Sequence, residues 1–199
     1  LDQPPRLVRV LNAMNYCSGE IPTTVTIRMG VKDNHPIAQN LVKRLVNDTQ
    51  TAAITLHGRS RQQRYTKEAN WDYISETGKV VREAEAALED DKDRRDFQRV
   101  NFVGNGDCFN WDDFVKAVED PYIDSVMIGR GALIKPWIYE EIDARQYLDK
   151  SATERLEMIK TYAHYAMEHW GSDEYGIASA RRYMCEFLSF TYRYTPYGI

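Results

Sequence analysis

Arg99-Val100-Asn101-Phe102-Val103-Gly104-Asn105-Gly106-Asp107 decides how this chain is read. Its first part is an apolar run of strand length, and its second part is a polar turn bracketed by glycines. Glycines on both sides of Asn105 let the backbone approach a ligand closely, while Asn105 and Asp107 offer fixed donors and acceptors. Alone, the same residues also describe a plain tight turn between a strand and a helix. The neighbours carry the argument further. Residues 23–28 are β-branched and run into Met29-Gly30, and residues 51–57 form a second such run ending at Gly58. Residues 125–128 form a fourth, ending in Gly129-Arg130-Gly131.

Helical patterns fill the intervals. Residues 36–47 place Ile37, Leu41, Val42 and Leu45 on one stripe, residues 72–88 read as a helix, and residues 111–119 turn Trp111, Phe114, Val115 and Val118 inward. Four strands alternating with helices predict parallel βαβ units. Glycines and polar residues follow the C-terminal end of every strand, the rim that carries ligands in barrels and in open doubly wound sheets alike. This reading of the residues leaves barrel and open sheet as alternatives.

From Ser151 onward the pattern is helical only. Ser151 and Glu154 form a capping box, Leu156, Ile159, Ala163, Ala166 and Trp170 recur at helical spacing, and Gly171 ends the run. A second helix over residues 174–192 is expected to bury Ile177, Met184, Phe187 and Leu188, with Phe190 and Tyr192 also in the core. Pro136 and the polar residues 143–150 mark the junction, so the expected domains are 1–140 and 141–199. Residues 82–99 are dense in both charges and are expected to form a solvated extension.

Composition narrows the function classes. The 199 residues carry a net charge of −4, so polyanion binding requires a local patch. One exists: His57-Gly58-Arg59-Ser60-Arg61-Gln62-Gln63-Arg64-Tyr65-Thr66-Lys67 is free of acids, and its arginines suit phosphates while Tyr65 suits base stacking. The bland alternative is a solvated loop paired to Glu68 and Asp72. Gly129-Arg130-Gly131-Ala132 offers backbone N–H groups and one Arg to a phosphate. Two such turns on consecutive strands point to a phosphorylated cofactor. The three cysteines, Cys17, Cys108 and Cys185, have neither zinc nor redox spacing, which favours a reducing compartment and no metal. No apolar run nears the roughly 18 residues of a membrane span. No Ser/His/Asp set or Walker-type loop is present, which argues against hydrolase and kinase chemistry.

Three stretches resemble one family. Ile54-Thr55-Leu56-His57-Gly58-Arg59-Ser60-Arg61, Val103-Gly104-Asn105-Gly106-Asp107 and Met127-Ile128-Gly129-Arg130-Gly131-Ala132-Leu133 are similar to the tRNA-dihydrouridine synthases. Gln63-Arg64-Tyr65-Thr66-Lys67, Lys135-Pro136-Trp137 and Glu168-His169-Trp170-Gly171-Ser172-Asp173 resemble the eukaryotic type 3 members. The resemblance implies the second half of an FMN-binding (β/α)8 TIM barrel followed by the start of an all-α tRNA-binding domain. It implies reduction of a tRNA uridine to 5,6-dihydrouridine, with hydride passing from flavin N5 to C6, a cysteine protonating C5 and NADPH reducing the flavin. The base must leave its stack to react. By matching position, His57, Asn105, Gly106, Asp107, Gly129 and Arg130 would bind FMN. Arg28 would lie near the flavin or uracil, and Arg59, Arg61 and Arg64 would face tRNA. A cytoplasmic or nuclear location goes with that substrate.

Two positions depart from the family pattern. Thr26 stands where the family has a flavin-contacting lysine, in Val25-Thr26-Ile27-Arg28. The family's catalytic cysteine, in an Asn-Gly-Cys-Pro context, matches none of Cys17, Cys108 and Cys185. Four strands also cannot close a barrel of eight, which spans about 250 residues. The expectation is therefore a fragment that needs an N-terminal half-barrel and is inactive alone. Two alternatives stand beside it: another FMN-dependent barrel oxidoreductase acting on a small molecule, and a degenerate, flavin-free RNA-binding protein.

Overall fold

A computed structural model describes residues 3–89 and 99–198. Of the charged stretch 82–99 read from sequence as a solvated extension, residues 90–98 lie outside the described residues; residues 82–89 instead end a helix (Trp71–Glu89) in which Glu85 is buried and Arg82 pairs with Glu85 and Asp124. The chain divides into two compact units. The first comprises residues 1–107 and 114–127, and the second residues 108–113 and 128–199. The division falls at 127/128, ahead of the 140/141 junction expected from sequence.

The first unit holds a four-stranded parallel sheet of β1 (Thr24–Arg28), β2 (Ala53–His57), β3 (Asn101–Asn105) and β4 (Ser125–Met127), in spatial order β1-β2-β3-β4. Helices α1 (Pro4–Ser18), α2 (Ala38–Asp48) and α3 (Trp71–Glu89) accompany it. Helix α4 (Trp111–Val118) runs across the division, and only its Ala117 is buried. Phe114, Val115 and Val118, expected inward, are half-buried.

The strand order has no reversal. Successive right-handed crossovers that always step the same way place their helices on one side of the sheet. An open doubly wound sheet has a switch point where the order turns back; none occurs among the described strands. Side chains alternate between faces along each strand. Val25, Ile27, Ile54, Leu56 and Phe102 point to one face and join Leu41, Val42 and Leu45 of α2 and Ile74 and Val81 of α3 in the core. The other face contributes nothing to that core. It carries Thr24, Thr26 and Asn101, all exposed, beside Thr55 and Val103.

Helix α1 is absent from the sequence reading. Two prolines open it at its first positions, where their missing N–H groups cost nothing. Its buried Leu11 and partly buried Leu7 join the core.

The second unit is helical: α5 (Arg130–Ile134), α6 (Ile138–Ala144), α7 (Ala152–Trp170) and α8 (Glu174–Thr191). The capping box at Ser151 forms as read, with Glu154 N–H donating to Ser151 Oγ at 3.3 Å and Ser151 N–H to Glu154 Oε2 at 2.8 Å. Helix α8 is capped by Asp173, which accepts from Gly176 N–H at 2.7 Å. Ile177 (50% exposed), Leu188 (43%) and Tyr192 (74%) contradict their expected burial. Each of α7 and α8 has the other as its main partner, and one partner covers only part of an apolar stripe.

Candidate functional site

Parallel register gathers the C-terminal strand ends of the first unit. Arg28 pairs with His57, His57 with Asn105, and Asn105 with Met127, so four side chains form one row on the polar face. Arg28 Nη1 donates to the Ser60 carbonyl at 3.3 Å. His57 is buried, and Asn105 Nδ2 donates to the Met127 carbonyl at 2.7 Å. Thr26 lies on the same face, one step back from Arg28, and is exposed beside Thr55.

The turn after β3 depends on its glycines. Gly104 lies against the Trp71 indole, where an added Cβ would sit 2.4 Å from the ring. Gly106 has φ +131°, and a Cβ there would stand 2.5 Å from Ala69 Cβ and 3.4 Å from the His57 ring. Asp107 follows with φ +51°. A side-chain-bearing residue rarely holds that conformation without outside support. Here the support is explicit: Asp107 Oδ2 accepts from Ala69 N–H at 2.8 Å and from Arg59 Nη2 at 2.5 Å.

The basic loop separates into inward and outward arginines. Arg59, expected from sequence to face tRNA, is 3% exposed and engaged within the unit. Arg61, Arg64, Tyr65 and Lys67 are exposed. The loop is knitted to the one after β1: Arg61 N–H donates to the Gly30 carbonyl at 2.9 Å, Gln62 N–H to the Val31 carbonyl at 3.2 Å, and Ser60 Oγ to Asp33. Sequence reasoning missed Asp33 and Ser60, whose only signal is a polar pair in two separate loops.

In the second unit, Gly129 caps α5 and Arg130 is its first residue. The Arg130 guanidinium lies 5.6 Å from the Phe109 ring centroid. The space where a Cβ of Gly129 would lie is open, whereas a Cβ on Gly131 would stand 2.3 Å from the Cys108 carbonyl oxygen. Cys108 is buried, and desolvation together with Asp113 pushes its thiol up to about 12. Cys17 on α1 and Cys185 on α8 are exposed. None of the three lies on a strand. On α8, Arg181 and Arg182 are exposed, and Tyr183 stacks on Trp170 with centroids 5.2 Å apart.

A family model described as dihydrouridine synthase matches residues 1–191. The chain belongs to the dihydrouridine synthase family. Among curated dihydrouridine synthases, a protein of Lodderomyces elongisporus named tRNA-dihydrouridine(47) synthase, NAD(P)(+), is 62% identical over 200 residues. Proteins of the same name from Scheffersomyces stipitis and Kluyveromyces lactis are 62% and 58% identical over 199 residues. All of this chain is covered in each case, but only 30–32% of each relative. The chain thus spans about a third of the length of these dihydrouridine synthases.

Proposed function

We propose that this chain is the cofactor-phosphate and RNA-facing part of a tRNA-dihydrouridine synthase of the eukaryotic type 3 kind. The observation that carries the reading is the row of Arg28, His57 and Asn105 at the C-terminal ends of consecutive parallel strands, on a face the core leaves free. That rim is where parallel barrels bind ligands. The residues fit a flavin phosphate and ring: a buried imidazole, a side-chain amide, and a glycine turn at Gly106 packed so closely on Ala69 and the His57 ring that no Cβ is accommodated. His57, Asn105, Gly106 and Asp107 of the first unit would hold FMN; Gly129 and Arg130 are carried to the same role by the family resemblance alone. Bound FMN supplies hydride to uridine C6, and NADPH is its reductant, consistent with the NAD(P)(+) in the relatives' names.

The chain's own residues bind and orient. Arg28 is anchored through the Ser60 carbonyl and stands in register beside His57. Arg61 and Arg64 present exposed cations to tRNA phosphates, and Tyr65, 60% exposed, offers a stacking face. The substrate is a uridine of the variable-loop region, the position 47 in the relatives' names. The one-way strand order and one-sided core support a half-barrel whose other four strands, and whose proton-donating cysteine, come from a preceding half. The chain is then inactive alone.

The test is complementation. The 199-residue chain incubated with FMN, NADPH and unmodified tRNA yields no dihydrouridine, and joining it behind the preceding segment of the Kluyveromyces lactis relative restores the product. Turnover by the chain alone refutes the half-barrel reading. A chain that binds tRNA but leaves flavin fluorescence unchanged refutes the flavin reading. Thr26→Lys, which supplies the family's cation on the polar face, is expected to raise flavin affinity.

A further inference from the structure

We propose that Arg59 is a positioning residue: through Asp107 it fixes the backbone of the Asn105-Gly106-Asp107 turn, and it takes no part in holding RNA. The identity of the ligand served by that turn rests on the flavin reading above; the role of Arg59 does not.

Arg59 sits in a loop with four exposed cationic or aromatic side chains, Arg61, Arg64, Tyr65 and Lys67, yet its chemistry is turned the other way. Its guanidinium is 3% exposed. Nε donates to the Lys67 carbonyl at 2.5 Å and Nη2 to Asp107 Oδ2 at 2.5 Å. Nη1 is buried with no hydrogen-bond partner among the described residues. An arginine meant for phosphates keeps its fork in water; this one has surrendered it to two protein oxygens. The Tyr65 ring lies 5.7 Å from its guanidinium carbon and helps to close it in.

The turn needs such a fastening. Gly106 and Asp107 hold φ of +131° and +51° in succession. Gly106 takes its φ at no steric cost, whereas a non-glycine residue at positive φ is uncommon and is held by surrounding contacts. Three contacts hold the turn. Gly58 N–H donates to the Asn105 carbonyl at 3.0 Å, and Trp71 Nε1 to the Gly106 carbonyl at 3.1 Å. The third is the Asp107 carboxylate, gripped by Arg59 and by Ala69 N–H. Only the third involves charges, and it anchors the one residue of the turn that carries a side chain at positive φ. Lysine cannot replace Arg59, because a single ammonium lacks the planar fork that reaches a carbonyl and a carboxylate together.

The experiment compares Arg59→Lys, Asp107→Asn and Arg61→Ala in the 199-residue chain. Amide hydrogen exchange reads the turn, quenching of flavin fluorescence reads FMN affinity, and gel shift reads unmodified tRNA. Arg59→Lys and Asp107→Asn are expected to speed exchange at Gly106 and Asp107 at least tenfold while leaving Ile54 and Phe102 protected. Both are expected to weaken FMN tenfold or more. Arg59→Lys is expected to move tRNA affinity less than twofold, and Arg61→Ala to weaken it. Unchanged exchange at Gly106 and Asp107, exchange raised uniformly through the core, or a tRNA loss in Arg59→Lys matching that of Arg61→Ala overturns the assignment. If Arg59→Lys fails to fold, Asp107→Asn removes the carboxylate that Arg59 grips without changing its size, and its exchange arm decides alone. A native chain that binds no FMN defeats the flavin reading, and the exchange arm still judges Arg59.

Discussion

Both carboxylate oxygens of Glu141 accept from Lys135 Nζ, at 2.7 and 2.8 Å, and Glu141 is completely buried. The same carboxylate accepts from Trp111 N–H at 3.2 Å, which ties residues 108–113 to α6 within the second unit. Removing one partner of a buried pair strands the other charge. Glu141→Ala is expected to destabilise the second unit by about 3–5 kcal/mol, read as a lower urea midpoint. Replacing both residues by apolar ones of similar volume is expected to cost far less.

Cys108 gives a pH dependence with a definite sign. Burial lifts its thiol from 9.0 to about 12 in the folded chain. Above the unfolded value the unfolded chain releases a proton that the folded chain retains, so stability falls as pH rises. The contribution is complete below about pH 9 and is lost between pH 9 and about 12. Unfolding midpoints measured from pH 8 to 11 should decline more steeply for the native chain than for Cys108→Ala. Parallel slopes would contradict this.

The glycines near the strand ends differ in what they tolerate. Gly131→Ala drives a Cβ to 2.3 Å from the Cys108 carbonyl oxygen, against backbone that cannot step aside. A loss of about 2 kcal/mol is expected, the cost of overpacking. Gly129→Ala meets open space, and its stability should stay within about 0.5 kcal/mol of the native chain. Thermal unfolding of the two variants makes the comparison.

Arg61 and Arg64 are exposed in the basic loop. Each cation that neutralises a phosphate releases counterions on binding. Replacing either by Ala should lower the slope of log affinity for tRNA against log salt by about 1. Titrations at several salt concentrations provide the slopes. A weaker affinity with an unaltered slope would mean that the residue does not touch phosphate.

The strands were legible because each is a short stretch with apolar residues that runs into a glycine turn, a signal contained within a few residues. Strand order was not, since neighbours in the sheet are set by crossovers between distant segments. Helix α1 was hidden for a similar reason. Its helical state is supported by Leu7 and Leu11 meeting the core, a tertiary contact. Arg59 shows the limit at the site. Within the loop it is one cation among several, and its inward turn depends on Asp107, 48 residues later. Arg28, His57 and Asn105 fared better. Each ends a strand, and parallel pairing with matched register brings strand ends together without further information.

The polar face of the sheet has a consequence for whatever closes over it. Thr24, Thr26, Thr55 and Asn101 line it where an ordinary parallel sheet carries aliphatic side chains on both sides. Hydroxyls and amides cannot be sealed beneath oil without losing their hydration. A covering layer must therefore bring hydrogen-bonding groups of its own or trap ordered water against the threonines. The interior so formed would be stitched rather than greasy, and its specificity would come from matched donors and acceptors more than from shape.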